Sequence, residues 1–532
     1  MSTVAGLSSQ VLCFLLVCAN VAWGAEVVST TVVIIGAGPA GLAAAQTLAD
    51  ENVDFILLEA RDVLGGRVRS VTLAEGLSWN MGAGWIHGRI SNGTDYNPIY
   101  EMATAANVQL ASTTWQNMTV RTGGGAVVSA DTVKHWYERT DLVQAFCLDK
   151  NEELWTQAEN LSDGVEWESI DITLQACWDE YGYIPANASE AEQHTALALQ
   201  WFSVDFDYCH PASELGVMWS LPENDDYNEE DLLVVGPYQG LMQTVADSLP
   251  GHSVRTGQKV THVSYGEFSV NVTTEQGLLV VAEVAICTLP LGVLQQEVVQ
   301  FDPPFSAARK ASINKMNMGH YAKAIAFFPE VFWEPTEQLL VTINSSSPGL
   351  IKWAINLNHP KLYPGSKALD FHFVGDDAET VESMSETGVQ AVLMQELHGI
   401  YGSDIPNATK IYVTNWTHDP YTYGSYSDWP YGYFESEWLE MTRSLDGHVF
   451  FAGEHTSENF GFVHSAWETG LEVAVEVLME LENRSWILNE ANMSLNSSTT
   501  MEADDSLPTD FAIGFSLAGV LVMLPLHAIL HL

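Results

Sequence analysis

The order of apolar and polar positions divides the chain into segments with different periods. Between residues 321 and 327, Tyr321, Lys323, Ile325 and Phe327 alternate with Ala322, Ala324 and Ala326. A period of two with both sets apolar, one residue excepted, predicts a strand covered on both faces. The exception, Lys323, is costly to bury without a partner. Nearer the N-terminus a β-branched run, Val32–Ile35, passes through Gly36-Ala37-Gly38-Pro39-Ala40-Gly41 into an Ala- and Leu-rich stretch, which predicts strand, tight turn and helix. A second strand, Asp54–Leu58, follows and ends at Glu59. Residues 256–290 alternate like antiparallel strands joined by turns, and residues 152–202, rich in Glu, Ala, Leu and Trp, predict helix. No internal repeat is seen.

Both ends carry apolar stretches of another kind. Residues 11–23 are apolar and are followed by Gly24 and Ala25, the pattern of a secretory signal over residues 1–25. Residues 511–532 form an apolar tail, preceded by a polar spacer and the small site Asn496-Ser497-Ser498. That order predicts a GPI-attachment signal, with a single membrane-spanning anchor as the alternative. Residues 486–510 read as a linker. Eleven Asn-x-Ser/Thr sequons fit an exported glycoprotein at the cell surface or outside it. Beyond the signal, Cys147, Cys177, Cys209 and Cys287 allow one or two disulfides in an oxidising compartment, with the pairing open. No spaced His/Cys cluster argues for a metal.

Composition changes the picture in one respect. The chain has 532 residues, enough for two large domains, with 68 acids against 20 bases and a formal net charge of −48. Duplex nucleic acid is excluded as a partner, because no basic surface is available to displace its counterions. A polycationic ligand would be attracted.

The glycines of the first turn have separate tasks. Gly36 makes the tight turn, Gly38 lets a pyrophosphate approach the backbone, and Gly41 lets helix pack on strand. The helix start adds N–H groups and a positive dipole end. Glu59 falls about 20 residues further on, where a carboxylate binds a ribose hydroxyl. Arg61-Asp-Val-Leu-Gly-Gly-Arg67 follows at once. This spacing resembles flavoproteins that bind FAD extended, with Arg67 neutralising pyrophosphate charge.

Further landmarks resemble the flavin-containing amine oxidases over nearly the whole chain. They are GAGWIHG at 82–88, TLPLGVL at 288–294, and FAGEHTSENFGFVHSAWETGLE at 451–472. The resemblance implies an α/β fold: a Rossmann-like FAD-binding domain assembled discontinuously from 26–95, 235–305 and 445–485, and an α+β substrate-binding domain from 96–234 and 306–444. It implies that Val260 holds the adenine through its backbone, that Glu454 binds the ribitol chain, and that Lys323 lies beneath the flavin and holds a water against its reactive edge. Tyr426 and Phe462 would wall the substrate, adding cation–π attraction to a charged amine. Ser425 stands where monoamine oxidases carry a flavin-bonded cysteine, which implies non-covalent FAD.

Within the family the closing segment is most similar to polyamine oxidases, and His87 agrees with animal-type polyamine and spermine oxidases. A second acidic residue of plant-type members falls within VDFDYCHPAS, where Asp205, Asp207 and His210 compete. The implied reaction is hydride transfer from the carbon next to a polyamine nitrogen to flavin. Oxygen is then reduced to hydrogen peroxide, and the imine is hydrolysed to an aldehyde and a shorter amine. An L-amino-acid oxidase is the rival; it would need an arginine for the carboxylate, with Arg89, Arg121, Arg139, Arg255 and Arg309 as candidates. A non-catalytic FAD-binding surface protein is the rival of another class.

Overall fold

The computed structural model describes residues 26–91, 95–113, 118–159, 170–218, 227, 230–343 and 349–498. The signal and tail expected over 1–25 and 511–532 lie outside the described residues.

The apolar run Val32–Ile35 is fully buried because it is the centre of a five-stranded parallel sheet. Its neighbours are Phe55–Leu58 on one side and Val284–Cys287 on the other, with Val254–Arg255 and Val449–Phe451 at the edges. A strand buried on both faces in a parallel sheet reads as continuous rather than alternating apolar sequence. The helix Pro39–Asp50 covers it, with Ala40, Leu42, Ala43, Ala44 and Leu48 buried. Gly41 permits that close packing: a Cβ there would sit 1.9 Å from the Gly36 carbonyl oxygen. The alternating segment after residue 256 forms three antiparallel strands, Val260–Gly266, Ser269–Thr274 and Leu279–Ala282.

A six-stranded sheet carries Tyr321–Phe327 between Ala368–Val374 and Lys410–Val413. Both faces of this strand are covered, as its period predicts. Ile325 and Phe327 join one apolar cluster, with Trp353 and Val374. Ala322, Ala324 and Ala326 join another, with Phe371, Leu393 and Leu397. The small side chains suit the helix-covered face, where Asp376–Ser383 packs on this strand and the next. A short three-stranded sheet pairs Trp85–Ile86 with Leu232–Val235 and brings the loop after residue 86 beside Asp231.

Two expectations need correction. The helical stretch expected over 152–202 begins earlier and is broken: Ala130–Glu159, Leu174–Tyr181 and Glu190–Ser203 are separate helices. Gly182, with φ of 71°, ends the second in the left-handed conformation that glycine adopts cheaply. A disulfide, Cys147–Cys177, ties the first two; Cys209 and Cys287 are free and buried. The linker expected over 486–510 is helical as far as Ser498, where the helix starting at Val463 ends.

Candidate active site

One cavity of about 680 Å³ runs from the parallel sheet to the lysine strand. Its first part is built by the glycine turn. Gly36, with φ of +104°, could not carry a side chain without meeting Thr288 Oγ1 at 2.6 Å. Gly38 also lines the cavity, and a Cβ there would meet nothing within 4 Å. No side chain caps the helix that starts at Pro39, so its N-terminal N–H groups are kept for a ligand. Glu59 ends the second strand, 7 % exposed, and lines the same space. Its carboxylate accepts from Ala37 N at 2.9 Å and Arg61 N at 2.8 Å. Burial pushes its pKa up, against those two bonds. Val260 also lines the cavity. A bare glycine cradle, an uncapped helix start and an acid at the strand end fit an adenine dinucleotide.

Arg67 and Glu454 join distant parts of the chain. Arg67 Nη1 donates to Glu454 Oε1 at 2.7 Å and to the Ser425 carbonyl at 2.8 Å. Glu454 Oε2 accepts from Ser427 Oγ at 2.6 Å, Ser427 N at 3.2 Å and Gly461 N at 3.0 Å. Burial alone would raise the Glu454 pKa, but Arg67 and these donors hold it below the usual carboxylate range. Both residues thus brace the cavity wall as well as line it. Nearby His455 is driven down to about 4 by burial and stays neutral.

The far part of the cavity holds the remaining expected residues. Lys323 is 4 % exposed, and its Nζ donates to the carbonyls of Asn80 at 2.9 Å and Gly82 at 2.6 Å. It sits 5.7 Å from the Trp85 ring. Burial lowers its pKa to about 8, with Asp370 working against the shift. A lysine in this state gives and takes a proton near neutrality. Tyr426, Phe462 and His87 line the same space. The aromatic wall is broader than two rings: Tyr321 lies 6.1 Å from Tyr426, and His87 lies 5.0 Å from Phe462. His87 Nδ1 is 3.3 Å from Asp231 Oδ1. Ser425 Oγ bridges the Tyr321 backbone, accepting from its N at 2.9 Å and donating to its O at 3.0 Å.

Of the three competitors in the acidic segment, Asp207 lines the cavity. Asp205 lies near Lys352, and burial pushes its pKa up to about 7. His210 Nδ1 is 2.6 Å from the buried Asp428. The turn of the short helix Asp205–Tyr208 decides between the two acids, and His210 lies beyond its end. Sequence reasoning also missed Tyr321, Asp141, Asp231 and Glu458, all in the lining. Tyr321 carries a signal, since it lies two residues before Lys323 on the same strand face. Asp141 and Asp231 lie outside any motif, and Glu458 lies within the 451–472 segment at a position given no role there. Among the described residues no His, Cys, Asp and Glu side chains cluster as a metal site.

A dinucleotide cradle opening onto a buried lysine and an aromatic wall defines a flavin-dependent oxidoreductase. The chain belongs to the flavin-containing amine oxidoreductases, whose family model matches residues 39–478. It is 27% identical over 479 residues to polyamine oxidase 1 of Zea mays, covering 86% of this chain and 91% of that one. Polyamine oxidase 2 of Arabidopsis thaliana is 28% identical over 475 residues, covering 86% and 89%. A solved putrescine oxidase bound to putrescine has the same fold, with a TM-score of 0.65 at 17% identity over 85% of this chain and all of that one. The protein is therefore an FAD-dependent amine oxidase, with a nucleotide-binding part and a substrate-binding part.

Proposed function

We propose that the protein is an exported oxidase of polyamines, using oxygen as acceptor and holding FAD without a covalent bond. The observation that carries the substrate class is the charge of the cavity wall. Asp141, Asp207, Asp231 and Glu458 line it. Among the described residues its arginines are Arg61, paired with Asp419 at 2.6 Å, and Arg67, paired with Glu454. None of Arg89, Arg121, Arg139, Arg255 and Arg309 lines it, so a carboxylate substrate lacks its clamp. A polycation instead meets carboxylates at several points along its length, and the extreme acidity of the chain adds attraction at a distance. Export is supported by exposed sequon residues at Asn187, Asn407 and Asn415, and by the Cys147–Cys177 disulfide.

Bound FAD supplies the redox chemistry: acceptance of a hydride from the carbon beside nitrogen, and transfer of the electrons to oxygen as hydrogen peroxide. The chain supplies placement and proton control. Tyr426, Phe462 and Tyr321 orient the apolar stretch of the amine. His87 with Asp231, and Asp207, receive its remote positive charges. Lys323, its pKa lowered to about 8 by burial, holds or releases a proton beside the reacting centre.

Anaerobic titration of the flavin absorbance tests this reading. Spermine or spermidine should bleach it, and monoamines and L-amino acids should not. Bleaching by an L-amino acid alone would sink it, and a yellow protein that no amine bleaches would favour the binding-protein rival. A second measurement tests the cradle. Gly38→Ala should leave the melting curve of the flavin-free protein unchanged, because the new Cβ meets nothing, yet weaken FAD retention by about tenfold as the methyl displaces phosphate. Unaltered FAD affinity would show that phosphate does not approach there.

A further inference from the structure

The sheet face that presents Lys323 to the cavity carries two more ionisable groups that amine oxidation, as described above, does not use. His372 lies directly across from Lys323 on the strand Ala368–Val374, and Asp370 lies across from Ile325. Residues directly opposite in an antiparallel pair share a face, so Tyr321, Lys323, His372 and Asp370 project to one side. His372 is 1 % exposed, and Asp370 4 %. The Tyr321 hydroxyl is 2.6 Å from His372 Nδ1. The other ring nitrogen, Nε2, faces Asp370 Oδ2 at 3.6 Å, and that oxygen accepts from Trp79 Nε1 at 3.1 Å. Trp353 stacks on the imidazole with centroids 4.3 Å apart.

Stability alone does not explain such a cluster. Apolar residues of similar volume in place of a buried ionic group are often neutral or stabilising. Here Asp370 Oδ1 and His372 Nε2 are buried without a hydrogen-bond partner, and that costs free energy. The two carbonyls on Lys323 Nζ satisfy two of its three N–H groups but bring no countercharge. Asp370 brings one.

We infer that Asp370 and His372 are positioning residues for Lys323: together with Tyr321 they form one buried unit in which a single positive charge, balanced by Asp370, resides either on Lys323 or on His372. The inference rests on the role of Lys323 proposed above. Charge balances in both forms. When Lys323 loses its proton to the cavity, Tyr321 passes its hydroxyl proton to His372 Nδ1 and takes another from the cavity side. The imidazolium then faces Asp370 through Nε2–H. In that transient form Asp370 is not a lone buried anion, so neutralising the lysine costs less than it would without His372. Burial lowers both Lys323 and His372, Asp370 opposes both shifts, and Lys323 further lowers His372, as competition for one proton requires. The other titratable groups around the unit are Tyr363 near Asp370, and Cys209, Asp207 and Tyr426 near Tyr321. Behind the lysine strand lies Glu382, held by Thr414 and the backbone of Trp416 and Thr417.

The test compares holoenzymes of the wild type, Asp370→Asn, His372→Gln and Lys323→Met. Steady-state pH profiles with spermine are read alongside the pH dependence of the flavin absorbance at rest, which needs no turnover. Asp370→Asn keeps an acceptor for Trp79 and removes the charge. The limb that disappears in Lys323→Met should move down by roughly one pH unit in Asp370→Asn. In His372→Gln it should move up, because the competing base is gone. A limb that stays in place in both variants, while lost in Lys323→Met, would reduce Asp370 and His372 to packing and overturn the inference. A limb that survives in Lys323→Met would instead overturn the role of the lysine, and the inference with it. Should one of the two variants fail to fold, the displacement in the other decides.

Discussion

Lys323→Met should lower kcat with a polyamine by about 10²- to 10⁴-fold, the range lost with a positioned acid–base group. Flavin content should be unchanged, because methionine is similar in length and apolar. A second consequence follows from the buried charge. The folded-state pKa of Lys323 is about 8 against 10.5 for a free lysine. Between those values the unfolded chain binds one proton more than the folded one, so stability rises with pH across the window and is penalised in full below about 8. The difference amounts to about 3 kcal/mol. Melting temperature followed from pH 8 to 10.5 should therefore carry a rising component in the wild type that is missing in Lys323→Met. A variant with unchanged kcat would refute the proposed role; parallel melting curves would refute the buried charge.

Arg67→Ala should destabilise the protein by about 3–5 kcal/mol, the usual loss when one partner of a buried pair is removed. The Glu454 side chain is 6% exposed, and without Arg67 its carboxylate keeps Ser427 and Gly461 but has no cation. FAD should be lost as well, since the pair and the Arg67 bond to the Ser425 carbonyl fasten the segment after Gly453 to the one around Ser425. Urea unfolding and flavin-to-protein ratio measure the two effects. The wild-type contribution is present above the free carboxylate value of 4.5 and falls away as pH drops through the lower folded-state value. Acidification should therefore narrow the gap between wild type and variant. An unfolding midpoint that Arg67→Ala leaves unchanged would show that the pair contributes nothing measurable.

How far the site was legible depended on whether a residue's task is local. Gly36, Gly41 and Glu59 could be read because turn, close packing and strand end follow from near neighbours. Lys323 could be read because one charge in an apolar strand contradicts its surroundings. Asp370 and His372 could not, because their partner lies on another strand and only the register Lys323↔His372 reveals it. Asp207 was separated from Asp205 only by the turn of a four-residue helix, and His210 lies beyond its end. The helix break near residue 182 went unread because the Gly182 cap depends on a local conformation that the general helical composition masks.

The parallel sheet gathers strands from both ends of the compact unit ending at Glu480, and Val449–Phe451 closes one edge. A nascent chain therefore leaves the ribosome with its glycine turn made long before the wall that completes the cradle. Long-range pairing of this kind is slow to form. Cofactor capture thus belongs to the end of maturation, after Val449–Phe451 has paired with Val284–Cys287.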